Sequence, residues 1–271
     1  VHGLQMLTTG DFNPHWFHWG SLMMYLDLLV DIPGYFYLIA QPPTAPAFLN
    51  HISDIVFDPT FSYPWTPSHP SFYLWNRWIT VFMGSASVAI VYYLARLLSG
   101  WWAGILAAGL LAGIEFHAIQ SAYATTDVPA SFFTLLALLL SALYLDRRRT
   151  IMLLLALAAC GFAASTKYNA IICIACPVIA LATAAIRRQP GYRWWLWLCV
   201  PAVPILAFIA GTPYSVLDLP TFLEGAGYSV RHYKVFGHGG DTIDPGMPNV
   251  LFQLRTMFDN LTPIPAAVAT I

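Results

Sequence analysis

The sequence predicts an all-α polytopic membrane protein, a bundle of transmembrane helices carrying interfacial helices and loops on its outer face. Three observations predict it. The chain is 58% hydrophobic and only 9% charged over 271 residues, where a soluble domain carries about 25% charged residues. It contains six apolar runs of the length needed to cross a bilayer, about 20 residues each. Its arginines gather at alternate ends of those runs, as the positive-inside rule requires. A mean hydropathy of +0.62 agrees with this reading.

The amino-terminal stretch 1–77 reads as outer interfacial helices and a loop. Within it, 20–40 is apolar but carries Asp27, Asp31 and Pro33. An acid in mid-helix is costly in lipid, so this segment is expected to lie along the outer interface with both carboxylates facing water or protein. Residues 41–76 are rich in Pro and aromatics (QPPTAP, FSYPWTPSHPSFY) and read as an ordered outer loop. The spans follow at 78–95, 101–119, 129–145, 150–166, 168–186 and 194–211. Short connections make neighbours antiparallel. Residues 212–271 read as an outer loop and the start of a further span near 257. The chain begins at Val1 and ends within the apolar IPAAVATI, so both ends are expected to be cuts in a longer protein.

Arg96, Arg147, Arg148, Arg149, Arg187, Arg188 and Arg193 mark the cytoplasmic ends. The acids and histidines, which that assignment did not use, segregate to the other face. Of 13 acids only Asp146 falls on the cytoplasmic side, and all 8 histidines fall on the outer side or in a helix end opening to it. The chemistry is therefore expected on the outer face of the plasma (inner) membrane. A net charge of -1 gives no basic surface for nucleic acid. Cys160, Cys173, Cys176 and Cys199 all lie in apolar runs. The CxxC of Cys173 and Cys176 has no second ligand pair and reads as buried small hydrophobes.

Four groups of residues are candidates for chemistry. In Ser121-Ala122-Tyr123-Ala124-Thr125-Thr126-Asp127-Val128-Pro129, Pro129 suits the first turn of a helix. Asp127 is then either a cap or an acid that binds substrate or orients a nucleophile. Lys167, in STKYN, is the one lysine of the embedded stretch and sits on the outer side, against the positive-inside trend. It either snorkels or offers a lipid phosphate a point charge with three donors. The stretch Gly10-Asp11-Phe12-Asn13-Pro14-His15-Trp16-Phe17-His18 brings histidines and an acid together without a complete metal-ligand set. Hydrogen bonding by Asn13, His15 and His18 is expected there; a metal is neither assigned nor excluded, and no cofactor is called for. After Gly211-Thr212-Pro213-Tyr214, the residues Arg231, His232, Tyr233 and His238 form a candidate cradle for an acceptor or headgroup.

The order GDFNPHWF, Arg77, VYYLARLLSGWWAGILAAGLLA, HAIQSAYATTDVPASFF, FAASTKYNA and AGTPYSVLDLPTF resembles the GT-C type bacterial glycosyltransferases related to protein O-mannosyltransferases and to the aminoarabinose transferase of lipid A. The resemblance covers most of the chain, with ATTDVP and STKYN its most specific elements. It implies transfer of a sugar from a polyprenyl phosphate to a lipid, glycan or protein acceptor on the outer face. It makes Asp127 the acidic position of the second outer loop and Lys167, with Tyr168 and His18, the holder of the donor phosphate. Asn13, His15, Tyr123, Thr126, Tyr214, Arg231, His232, Tyr233 and His238 become candidates for substrate or acceptor binding. Gly20 stands where relatives often carry Pro. The family's essential Asp after the first transmembrane helix is expected upstream of Val1.

A flippase for the same lipid would place polar residues at mid-membrane, whereas here they collect at one face. A non-catalytic membrane subunit is the other alternative. The topology is tested by cysteine accessibility in a background without native cysteines. Single cysteines in 147–149 should label from the cytoplasm and those in 123–127 from outside; labelling of both from one side overturns the orientation.

Overall fold

The computed structural model describes residues 2–39, 70–235 and 247–260. Among these residues every regular element is a helix. The protein is an all-α polytopic membrane protein.

Helix α1 (His2–Thr9) packs on α2 (Leu22–Ile39). The approach is close because Gly3 lacks a side chain: a Cβ there would lie 2.6 Å from the backbone nitrogen of Leu28. Helix α2 is not among the described helices long and apolar enough to cross a membrane. Asp31 is wholly buried, and among the described residues its oxygens have no well-formed hydrogen bond; the side chain of Asn76, itself with an unpartnered Oδ1, is the polar group that approaches it. Asp27 sits one turn earlier with its Oδ1 shielded and unpartnered. Burial pushes both carboxyls above the ordinary range, and Asp31 adds repulsion to Asp27.

The apolar runs are all helical, with corrected boundaries. Helix α3 (Pro70–Ser99) starts well before the predicted residue 78, with Pro70 in its first turn. Arg77, expected to end the outer stretch, therefore lies inside a helix, and 70–76 are not loop. The predicted loop 41–69 lies outside the described residues. The run expected as one helix over 101–119 is broken into α4 (Trp101–Gly113) and α5 (Glu115–Ser121), bent by 66°. Ile114 between them is extended (φ -75, ψ 109). Gly113 weakens the end of the first helix, and Glu115 supplies a first-turn acid to the second.

Helix α6 (Asp127–Arg147) ends at Arg148 in the left-handed region (φ 57) and is followed by α7 (Thr150–Thr166). A 3-10 segment (Tyr168–Ile174) runs into α8 (Ala175–Ile186), and α9 is Leu196–Gly211. By length and composition α3, α6 and Tyr168–Ile186 are candidate spans, and the bent pair α4–α5 is a fourth if counted as one. Helices α7 and α9 are apolar but have 17 and 16 residues. At about 1.5 Å per residue they fall short of a hydrocarbon core of about 30 Å. Helix α7 lies in the interior of the bundle, against α6 and α9, whereas α9 packs on α7 and leaves Leu198, Ile205 and Leu206 exposed. Leu153, Ala156, Leu157, Cys160 and Ala163 of α7 are completely buried. Cys173 is buried too, and all four cysteines are free thiols.

The stretch after Gly211, expected to be mostly loop, is largely helical: α10 (Tyr214–Leu217), α11 (Leu219–Val235) and α12 (Met247–Asn260). Both longer helices are amphipathic rather than uniformly apolar. A search for continuous hydrophobic runs passes over such segments. Residues 236–246, with His238, and 261–271, with most of the predicted further span, lie outside the described residues.

Two predictions follow from this packing. A Cβ at Gly161 of α7 would come within 2.3 Å of the Pro204 carbonyl oxygen and 2.7 Å of the Ala207 Cβ on α9. Gly161→Val should therefore cost about 1–3 kcal/mol or more, read as a lowered Tm in nanodiscs; an unchanged Tm would mean that the two helices separate freely. The second prediction concerns pH. The unfolded Asp31 carboxyl titrates near about 3.9 and the folded one higher, so folding takes up a proton. Stability should fall as pH rises from about 4 through the folded value. Asp31→Asn should raise the Tm at pH ~7.5 by a few degrees and weaken this pH dependence. A variant less stable at both acid and neutral pH would show that the carboxylate is paired.

Candidate functional site

The polar residues of the first twenty positions, the ends of α6, α7 and α9, and the start of α11 meet at one end of the bundle. The arginine turns at 147–149 and 187–188 lie at the other, where the Arg148 carbonyl backs onto Gly191.

A knot of hydroxyls holds the site end together. Ser165 and Thr212 share a hydrogen bond of 2.7 Å, and the Ser21 amide donates to Thr212 Oγ1 at 3.1 Å. The Ser215 hydroxyl donates to the Thr212 carbonyl at 2.6 Å. Ser21, Ser165 and Thr212 have no exposed surface. Two glycines permit this approach. A Cβ at Gly20 would lie 2.0 Å from the Ser165 carbonyl oxygen, and one at Gly211 would lie 2.4 Å from Ser165 Oγ.

Two residues beyond the knot, Lys167 ends α7 in an extended conformation (φ -149, ψ 120). Its Nζ donates to Asp127 Oδ1 at 2.5 Å. Asp127 is the first residue of α6, whose N-terminal dipole favours an anion. Capping is not what the loop does: Thr126 occupies the cap position without a side-chain hydrogen bond. The two side chains are 32% and 57% exposed, and pairs of that kind stabilise a fold by only ~0–1 kcal/mol. Stability alone is a weak account of a lysine placed here.

The loop 10–20 is folded on itself and then onto α11. The Asp11 carboxylate accepts from the Asn13 amide and pairs with His15 Nε2 at 2.8 Å. The His15 hydrogen bond, first, and the Asn13 amide, second, hold that carboxyl below its usual range. Asn13 Nδ2 donates to Asp218 at 2.7 Å, and Thr221 donates to the same carboxylate. These bonds lower the Asp218 carboxyl in turn. His15 and His18 thus turn to different partners. The His18 ring stacks on Tyr228 at 4.5 Å and lies 4.6 Å from Trp16, while Tyr228 stacks on His232 at 5.7 Å. Partial burial, then the neighbouring His232, lower the basicity of His18. Tyr168 donates to the Phe17 carbonyl at 2.9 Å, and Ser229 donates to that of His18 at 2.6 Å.

Several cavities open at this end, among them a small one of about 90 Å³ beside Asp11, Asn13 and His15, and two are large. The first, about 520 Å³, is lined by His18, Trp19, Lys167, Tyr168, Asn169 and residues of α11. It unites the three residues predicted to hold a donor phosphate. The second, about 770 Å³, is lined by His15, Trp16, Trp19, Asp27, Thr125 and Thr126, among others. Trp19 forms a wall of both.

Of the candidate acceptor residues, His15 and Thr126 reach the second cavity, and Asn13 is spent on Asp218. Tyr123 is exposed and lines neither cavity. Tyr214 begins α10, Arg231 is exposed on α11, and Tyr233 lies on the same helix. His238 lies outside the described residues. Trp16, Trp19, Asn169 and Asp27 were not among the predicted site residues. The alternation of rings in His15-Trp16-Phe17-His18-Trp19 was the available signal for the tryptophans, and STKYN already contained Asn169.

No curated protein and no solved structure matches the chain. The profile of the dolichyl-phosphate-mannose-protein mannosyltransferases matches residues 31–223, which span α2 to α11 and contain both Asp127 and Lys167. The chain belongs to this family of membrane glycosyltransferases, which use a polyprenyl-phosphate-linked sugar.

Proposed function

We propose that the protein transfers a sugar from a polyprenyl phosphate to an acceptor on the outer face of the plasma membrane, and that Lys167 holds the donor phosphate. The observation that carries this reading is the first cavity, where Lys167, His18, Tyr168 and Asn169 converge at the end of an apolar bundle. A lipid phosphate lies at headgroup depth with its chain in hydrocarbon. Lys167 retains donors beyond the one given to Asp127. The exposed apolar side chains of the spans supply the surface along which the prenyl chain runs.

In the transfer, an acceptor oxygen forms a bond to the anomeric carbon as the carbon–oxygen bond to phosphate breaks. The bonding pair leaves on the phosphate oxygen, and the acceptor proton passes to a carboxylate base. Lys167 stabilises the charge developing on the phosphate, an electrostatic contribution of the oxyanion-hole kind. Asp127 orients Lys167 and positions the acceptor or the sugar beside it. His15 and Thr126 meet the substrate in the second cavity, while Tyr123, Tyr214, Arg231, His232, Tyr233 and His238 are the remaining candidates for acceptor binding.

Donor binding and single-turnover transfer by the whole protein in nanodiscs test these roles. Lys167→Ala should weaken donor binding roughly tenfold or more, the loss of a charge-assisted hydrogen bond. Lys167→Arg should keep part of the activity, since its charge remains but its donors form a planar fork. Asp127→Asn should slow transfer without weakening donor binding, because it leaves Lys167 unpaired. Wild-type binding and transfer by Lys167→Ala would remove the phosphate role and leave a snorkelling lysine.

A further inference from the structure

The second cavity is larger than the first and differs from it in character. Its walls combine the indoles of Trp16 and Trp19 with Asp27, His15 and the Thr125 and Thr126 loop. Its volume of about 770 Å³ falls in the range of small-molecule sites, about 300–1,000 Å³. Aromatic faces beside a carboxylate suit a pyranose: the C–H face of the ring lies on an indole, and its hydroxyls donate to carboxylate oxygens. Asp27 is placed for that role. It stands on an apolar helix whose packing gives its shielded Oδ1 no partner among the described residues. Asp31 lies one turn behind it, also without a well-formed hydrogen bond among the described residues. An acceptor left unpaired at a cavity wall costs stability unless a ligand completes it.

The placement of the two cavities identifies which sugar. Lys167 lines the first, whereas Thr125 and Thr126, next to its ion-pair partner Asp127, line the second. Trp19 separates them. A phosphate on Lys167 therefore has its prenyl chain on one side and its ester-linked sugar beside Trp19 and the second cavity. We propose that the second cavity receives the glycosyl group of the lipid donor, with Trp19 as its platform and Asp27 as a hydroxyl-binding residue that sets sugar specificity. This inference rests on the assignment of the donor phosphate to Lys167. Burial and the adjacent Asp31 favour a protonated Asp27, which can both donate to and accept from a sugar hydroxyl.

The test uses the full chain in nanodiscs and separates the sugar from the phosphate. The probes are methyl farnesyl phosphodiester, which has the donor's charge and no sugar, and the mannosyl, glucosyl and aminoarabinosyl farnesyl phosphodiesters. At least one sugar ester should bind the wild type about tenfold or more tightly than the methyl ester. Asp27→Ala, which removes both the donor and the acceptor of the neutral carboxyl, should abolish that increment and leave methyl ester binding unchanged. Lys167→Ala should weaken all four probes alike. The inference is overturned if no sugar ester gains over the methyl ester, if the gain survives in Asp27→Ala, or if Asp27→Ala loses methyl ester binding as well. The last result would make Asp27 a structural residue. If Lys167→Ala changes no probe, the phosphate assignment fails instead, whatever Asp27 does.

Discussion

The contact on which the site depends is the hydrogen bond between Ser165 and Thr212, 2.7 Å long and sealed from solvent. It joins the end of α7 to the end of α9, and the Ser21 amide brings the start of α2 to the same point. Lys167 follows Ser165 by two residues, and Trp19 precedes Ser21 by two. The knot therefore sets the distance between the lysine and the aromatic loop, and with it the width of both cavities. Away from water such hydroxyls must find partners in the protein. Gly20 and Gly211 remove the side chains that would hold the backbones apart.

The same solvent logic sorts the rest of the chain. Apolar side chains cost nothing in hydrocarbon, so the spans bury little of their surface within the protein and leave residues such as Phe82, Leu106 and Ile172 exposed. The interior of the bundle instead uses small residues: Ala156, Ala159, Cys160, Gly161 and Ala163 let α7 be surrounded closely. A short helix at the centre of the bundle can end below the membrane surface, and α7 ends at Lys167. The charge thereby stays within the polar end of the protein, near α6's N-terminal dipole and Asp127, rather than out in bulk solvent.

Charges were the most legible part of the sequence, because in an apolar chain each one needs a reason. Asp127 and Lys167, 40 residues apart, could be singled out separately on that ground; their direct pairing could not, since spacing along the chain carries no information about two helix ends. Asp27 and Asp31 were legible as an argument against a lipid-exposed span, but not as a cavity wall and a buried carboxyl. That distinction depends on Asn76, far along the chain, and on how the nearby loop 14–19 folds back over α2. Asn13 and His15 look like free ligands in the sequence and are tied to Asp218 and Asp11 in the fold. Hydropathy located the apolar helices but not their limits. It missed the polar aromatic first turns of α3, the break at Ile114 and the amphipathic α11, where the governing pattern is local backbone chemistry or helical period rather than mean apolarity.

The arrangement of acids gives the last step. Asp127 is solvent-accessible and beside a cation, while Asp31 is buried without a well-formed hydrogen bond among the described residues, and Asp27 stands between these extremes at a cavity wall. Environment therefore separates three chemically identical side chains. Asp127 is paired with Lys167 at the start of α6, a placement suited to arranging charge around a phosphate. Asp27 and Asp31 are pushed toward the neutral form by burial, a state suited to exchanging hydrogen bonds with uncharged hydroxyls. A lipid-linked sugar presents both chemistries within one molecule, an anionic phosphate ester followed by a polyhydroxyl ring. The protein offers the two environments in the same order on either side of Trp19, and that correspondence links the ion pair at the membrane end of α7 to the acids of α2 in one proposed site.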